Sequence, residues 1–303
     1  MLKVKIKNIE FRSPIIAASG TFGYGDEVNE FVDLKKIGCV ITKSITLEPR
    51  EGNKVSRIHE SNYGMINSIG LANIGADKFC NEKLPLLNDL PTNFIVSVAG
   101  KKVDDYVNVI KTIEQYNGKH VGYEINISCP NVKVGGMEFG MNKEMTYELT
   151  LKLRKFTSKL LIIKLSPNVT SIEDIALACE SAGADAISAI NTFSGLAIDY
   201  KTGKMLLSTK YGGVSGAAIK PLALAKVHKI FNVVSIPVIG IGGISSFEDV
   251  IEFLRVGSSM VQIGTLNYLN PQLLSTFNKD LEQFLSLNKF LNISDLTGLY
   301  IED

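Results

Sequence analysis

Several apolar runs in this sequence end in side chains that an apolar core cannot satisfy. One closes on Asn126-Ile127-Ser128-Cys129, another on Lys43-Ser44, and a third on Asn191-Thr192. Lys164 sits within a fourth run, and Ala18-Ser19-Gly20 ends a fifth. Burying polar groups costs free energy unless they are paired, so their accumulation at the ends of apolar runs points to a polar ligand. Cys129 follows Asn126 by three residues and precedes Pro130. A thiol with an unperturbed pKa of about 8.5 is close enough to neutrality to act as a general base. His59, His120 and His228 all lie away from these run ends and read as surface or structural. A Cys–His nucleophile pair is therefore disfavoured, and a cysteine proton acceptor is favoured. Cys39 and Cys179 read as small buried hydrophobes, and Cys80 is uninformative.

Two further runs end in glycine. Gly240-Ile241-Gly242-Gly243 is followed by a serine-rich helix start, and the next run ends in Gly264-Thr265. Glycines there let backbone N–H groups approach an anion, and a helix N-terminus adds its positive dipole end. The plain alternative is a pair of tight turns. Two such loops in succession favour a phosphate site. Lys43 and Lys164 would then be fixed cations facing a delocalised anion, as a reduced flavin becomes on its N1–O2 edge. Solvated lysines at a strand rim are the alternative. Asn67-Ser68-Ile69-Gly70-Leu71, with Asn126, Asn191 and Thr192, supplies amides and hydroxyls suited to a small, planar, multiply hydrogen-bonding substrate.

These residues need elements to hold them. Eight apolar runs recur along the chain: 15–20, 39–45, 94–100, 123–128, 161–167, 186–192, 237–243 and 260–265. Each is near-continuously apolar at its start, as strands of a doubly covered parallel sheet are. Between them, 171–183 and 245–257 open on a serine cap with acidic residues and close on glycine, with apolar positions at helical spacing. Alternating strand and helix predicts an α/β fold. Eight such strands predict a (β/α)8 TIM barrel, with an open sheet as the alternative. An N-terminal β-hairpin is expected over about 2–13. Long glycine-rich segments at 130–140 and 194–216 fall at the C-terminal face and read as lids. With no linker or composition break, residues 1–303 read as one domain.

Composition narrows the classes. The chain has 303 residues, of which 45% are hydrophobic and 21% charged, with a formal net charge of +1. No basic stripe suggests nucleic acid or an acidic membrane as the main partner. No apolar stretch reaches the roughly 18 residues of a membrane span. The start, MLKVKIKNIEF, alternates like a strand rather than a signal peptide. Four cysteines without CxxC spacing fit a cytoplasmic location and argue against a zinc or iron–sulfur site in this chain; no bound metal is expected.

With these residues in place, the sequence resembles the dihydroorotate dehydrogenases. The resemblance runs in order along essentially the whole chain: ASGTFGYG (18–25), TKSIT (42–46), PREGN (49–53), GMINSIGLAN (64–73), EINISCPN (124–131), IKLSPN (163–168), INTFSG (190–195), GGVSGAAIKP (212–221), GIGGI (240–244) and QIGT (262–265). It implies oxidation of (S)-dihydroorotate to orotate in de novo pyrimidine (UMP) synthesis, with one FMN on a β/α barrel. It also implies that Cys129 takes the C5 proton while C6 gives hydride to the flavin, under a loop that closes after Cys129. Lys43, Asn67, Ser68, Ile69, Gly70, Leu71, Asn126, Asn191 and Thr192 would hold substrate. Ser19, Lys43, Ser44, Ser97, Asn126, Lys164, Ile190, Gly216, Gly242, Gly243, Gly264 and Thr265 would hold FMN.

The absence of an N-terminal extension and the cysteine in place of serine resemble class 1. ASGTFGYG and PREGN resemble the NAD-linked class 1B catalytic subunit. That implies a homodimer core in a heterotetramer with a partner carrying FAD and a [2Fe–2S] cluster, which passes electrons to NAD+. A fumarate-reducing class 1A enzyme and a flavin-free phosphate-binding barrel are the alternatives. Two positions depart from the class 1B pattern: Ser97 stands where asparagine is usual, and Ala72 where glutamine is common. Ser97 has the shorter reach toward a flavin.

Overall fold

Branched aliphatic side chains buried on both faces build the centre of the molecule. The computed structural model describes residues 1–28, 30–62, 64–128 and 139–302. Eight parallel strands close into a barrel: β1 (Ile15–Ala17), β2 (Cys39–Ile41), β3 (Asn93–Val98), β4 (Gly122–Asn126), β5 (Leu160–Leu165), β6 (Ala186–Ala189), β7 (Val238–Ile241) and β8 (Ser258–Ile263). Each neighbours the next in chain order, and β8 pairs with β1 to complete the ring. Every residue of β5 and β6 is buried, the signature of strands covered by helices outside and packed side chains inside. Asn126 of β4 and Ser188 of β6 both lie in register with Lys164 of β5.

The covering helices follow from sequence period and caps. Val103–Glu114 buries Tyr106, Val107, Val109, Ile110 and Ile113 along one stripe. Ile172–Ser181 starts at Ser171, whose hydroxyl accepts from the Asp174 N–H. Phe247–Arg255 starts at Ser246, which forms a reciprocal capping box with Asp249. The hairpin Val4–Ile6 and Ile9–Phe11 lies at the N-terminal end of the barrel. There Lys7 Nζ donates to the Ser158 carbonyl at 3.0 Å and pairs with Asp185 at 3.0 Å, just ahead of β5 and β6. Among the described residues no helix is long and apolar enough to cross a membrane.

The eight expected strands and the hairpin match these elements. The segment 194–216 differs from a simple lid. Its ends pair as Phe193–Gly195 and Gly212–Ser215 within a four-stranded antiparallel sheet that also contains Gly64–Asn67 and Ile58–Ser61. This sheet ties the segment after β6 to the segment after β2. Of 130–140, residues 130–138 lie outside the described residues, and Phe139–Met141 forms a 3-10 turn.

Candidate active site

Parallel strands carry their C-terminal ends to one mouth of the barrel, and the polar strand ends meet there around a cleft of about 1230 Å³. Ligand pockets commonly hold ~300–1,000 Å³, so this cleft has room for a nucleotide-sized group beside a small molecule. Ser19, Lys43, Ser44, Asn126, Lys164, Ile190, Asn191 and Thr192 line it, as do the segments 67–71, 215–217, 241–245 and 264–266. Among the cofactor and substrate residues expected from sequence, Ser97 alone is not on the cleft wall. It is fully buried one layer down, its hydroxyl 2.8 Å from that of Ser44. Ser97 therefore braces Ser44, consistent with its short reach. Cys129 lies outside the described residues. Ser128, just before it, lines the cleft, and its N–H donates to Asn126 Oδ1 at 3.2 Å.

One end of the cleft is walled by glycine-rich backbone. Gly216, Gly242 and Gly243 adopt φ of +100°, +133° and +75°, a region L-residues rarely enter. A Cβ on Gly243 would stand 2.7 Å from the Lys220 nitrogen and 2.9 Å from the Gly216 carbonyl. A Cβ on Gly264 would meet nothing nearer than Ala18 at 3.7 Å, so the backbone there is open to the cleft. Thr265 Oγ1 donates to or accepts from Ser215 Oγ at 2.8 Å beside it. Asp249 accepts from the N–H groups of Ser245 and Ser246 and pairs with Lys220 at 2.6 Å. Burial pushes its carboxyl up, but Lys220 and the N–H and hydroxyl of Ser245 outweigh this and hold it below the usual range.

The opposite wall carries the amides. Asn191 Nδ2 donates to Asn126 Oδ1 at 3.3 Å, and the Thr192 N–H donates to Asn191 Oδ1 at 2.8 Å. Asn67 Nδ2 donates to the Gly213 carbonyl at 3.3 Å across the four-stranded sheet. The loop 67–71 turns at Gly70 and Leu71, both with positive φ. It is held by Asn53, whose amide donates to the Ser68 carbonyl at 2.9 Å and whose N–H donates to that of Ile69 at 3.0 Å. Arg57 in turn binds the Asn53 carbonyl through Nε at 2.5 Å. Burial, then the nearby Arg57 charge, lowers the pKa of Lys43, partly opposed by Glu27. The buried hydroxyls of Ser68 and Ser128, two residues that line the cleft, have no hydrogen-bond partner among the described residues.

Residues that sequence reasoning passed over complete the site. Asn168 lines the cleft and donates to the Thr192 carbonyl at 3.0 Å while accepting from the Ser194 N–H at 3.0 Å. Below the cleft, Glu124 is fully buried and accepts from Lys164 Nζ at 3.4 Å, Ser188 Oγ at 3.0 Å and Gln262 Nε2 at 2.5 Å. The signal for Glu124 was its place two residues before Asn126 in an otherwise apolar strand, on the same face. Cys39 and Cys179 are fully buried, as expected of small hydrophobes, and burial raises both thiols; for Cys39 the Glu124 charge adds to it.

These features can hold a phosphate-bearing planar cofactor, set a cation against it, and hydrogen-bond a small planar substrate. A family model described as "Dihydroorotate dehydrogenase" matches residues 1–285. The chain is 44% identical over 300 residues to the "Dihydroorotate dehydrogenase B (NAD(+)), catalytic subunit" of Geotalea uraniireducens, covering 99% of this chain and 98% of the relative. Proteins of the same name from Bacteroides thetaiotaomicron and Thermodesulfovibrio yellowstonii are each 43% identical, over 297 and 302 residues. These cover 98% and 100% of this chain, and 98% and 99% of the relatives.

Proposed function

The chain belongs to the dihydroorotate dehydrogenase family, and from that premise we propose that it oxidises (S)-dihydroorotate to orotate with FMN in the cleft, as the catalytic subunit of an NAD-linked enzyme. One observation carries the reading. Lys43, Asn67, Asn126, Lys164, Asn191 and the glycines at 242, 243 and 264, drawn from distant parts of the chain, line a single cleft at the mouth of the barrel.

The residues present suit FMN. The open backbone at Gly264, the positive-φ glycines at 216, 242 and 243, and Ser215 and Thr265 would take its phosphate. Ser19 and Ser44 would hold the ring system, with Lys43 and Lys164 as cations. Bound FMN supplies the hydride acceptor.

The protein's own part is to orient, desolvate and move one proton. Asn67, Asn126, Asn191 and Thr192 would hold dihydroorotate by its amide and carboxylate edges, with the backbone of 68–71 closing one side. The mutual hydrogen bonds of Asn126, Asn191 and Thr192, and the Asn168 brace, fix these groups in advance, which keeps the entropic cost of positioning out of the reaction step. Cys129, as thiolate, would take the C5 proton as hydride leaves C6. Lys164 would offset negative charge gained by the acceptor.

The name "catalytic subunit" carried by the relatives supports a second protein. We propose that this partner carries FAD and a [2Fe–2S] cluster, passes electrons to NAD+, and binds a homodimer of this chain in a cytoplasmic heterotetramer. The test is to assay the purified chain with dihydroorotate and either fumarate or NAD+, with and without the co-expressed partner. NAD+ reduction that requires the partner is expected. Rapid turnover with fumarate by the chain alone would overturn the NAD-linked assignment.

A further inference from the structure

Beneath the cleft the barrel interior holds a carboxylate that the mechanism above does not use. Glu124 is fully buried, yet its neighbours along β4 are aliphatic or aromatic. Its three donors come from three other strands: Lys164 from β5, Ser188 from β6 and Gln262 from β8. A carboxylate only accepts, and these donors fill most of its roughly four lone-pair sites. Replacing a buried ionic group by apolar residues is often neutral or stabilising, so fold stability alone gives weak grounds for a charge here.

Lys164 is the member that reaches outward. It is nearly buried, contacts Glu124 through one N–H, and lines the cleft. An ammonium has three N–H groups on one charge. Its attraction for an anion in the cleft is therefore set by how much of that charge Glu124 offsets from below. Ser188 and Gln262 set this in turn, because each hydrogen bond they donate spreads the carboxylate's charge.

We propose that Glu124 is a positioning residue: it fixes Lys164 at the cleft floor and, by partly neutralising it, sets how strongly the site prefers reduced over oxidised flavin. The proposal rests on the reading of the cleft as an FMN site.

The test is the midpoint potential of the FMN-loaded protein, measured against reference dyes in the wild type, Glu124→Gln and Ser188→Ala. Gln262 Oε1 is buried without a partner among the described residues, so the Gln262 amide can turn over and accept from a glutamine at 124, which makes that variant tolerable in the core. Glu124→Gln removes the offsetting charge. It should raise the preference for reduced flavin about tenfold, ~30 mV in a two-electron couple. Ser188→Ala removes one donor and leaves more of the carboxylate's charge acting on Lys164, so the potential should move the other way. If Glu124→Gln does not fold, Ser188→Ala carries the test. A merely structural role would lower the melting temperature of both variants and leave the potential where it was; that result overturns the inference. A wild-type chain that takes up no FMN would overturn the cofactor reading, and the inference with it. Bound FMN with an unmoved potential would overturn the inference alone.

Discussion

Cys129 follows a backbone that is already held: the Ser128 N–H is tied to Asn126, and Asn126 to Asn191. The base proposed here thus follows this amide network directly in sequence. A serine hydroxyl is a far weaker acid than a thiol, so its anion is scarce near neutral pH. Cys129→Ser should lose most of its turnover at pH 7, on the order of a hundredfold or more, while retaining FMN. Steady-state rates with flavin absorbance check both halves, and a variant with wild-type turnover would contradict the role. The same residue scale shows what a single sequence conceals. The polar ends of the strands were legible because each stands out locally. Glu124 stands out only as a charge in an apolar run; its partners at 164, 188 and 262, which give it a role, come together only when the barrel closes.

At the scale of elements, the eight barrel strands were readable from their unbroken apolar runs, and the capped helices from serine, acid and glycine in order. The four-stranded sheet at the mouth was not. Its strands are three or four residues long; Ile58–Ser61 is mostly exposed, Gly212–Ser215 is half-buried, and both lack apolar alternation, so neither burial nor period marks them. The loops proposed to take the FMN phosphate make a prediction of their own. Gly243→Ala adds a Cβ at φ +75° against the Lys220 and Gly216 backbone, a strain of roughly 1–3 kcal/mol. FMN affinity, measured by fluorescence titration of the stripped protein, should fall about tenfold or more. Unchanged affinity would place the phosphate elsewhere.

The other end of the barrel carries a pH-sensitive element. His120 is buried, its Nε2 2.8 Å from the Tyr123 hydroxyl, which donates to Glu114 at 3.0 Å. Burial, with the nearby Lys159 charge, lowers its pKa to about 4, against some opposition from Glu114. An unfolded chain binds that proton near pH 6.5, while the folded chain refuses it until about pH 4. Stability should therefore fall as pH drops through this window, by about 3 kcal/mol in full. Urea unfolding at pH 7 and pH 4.5 should show this loss in the wild type and a smaller one in His120→Phe. Equal losses would contradict the assignment.

At the scale of the whole molecule, the barrel separates stability from chemistry. The N-terminal hairpin and the Lys7–Asp185 pair lie at one end; the cleft opens at the other, where the ends of β1, β2, β4, β5, β6 and β8 contribute polar side chains. The central claim is that dihydroorotate and FMN meet in that cleft. Its most direct test is anaerobic titration of the FMN-loaded wild-type chain, without partner or acceptor, by dihydroorotate. Bleaching of the oxidised flavin absorbance is expected, with one orotate formed per flavin reduced. Flavin that stays oxidised with excess dihydroorotate present would contradict it.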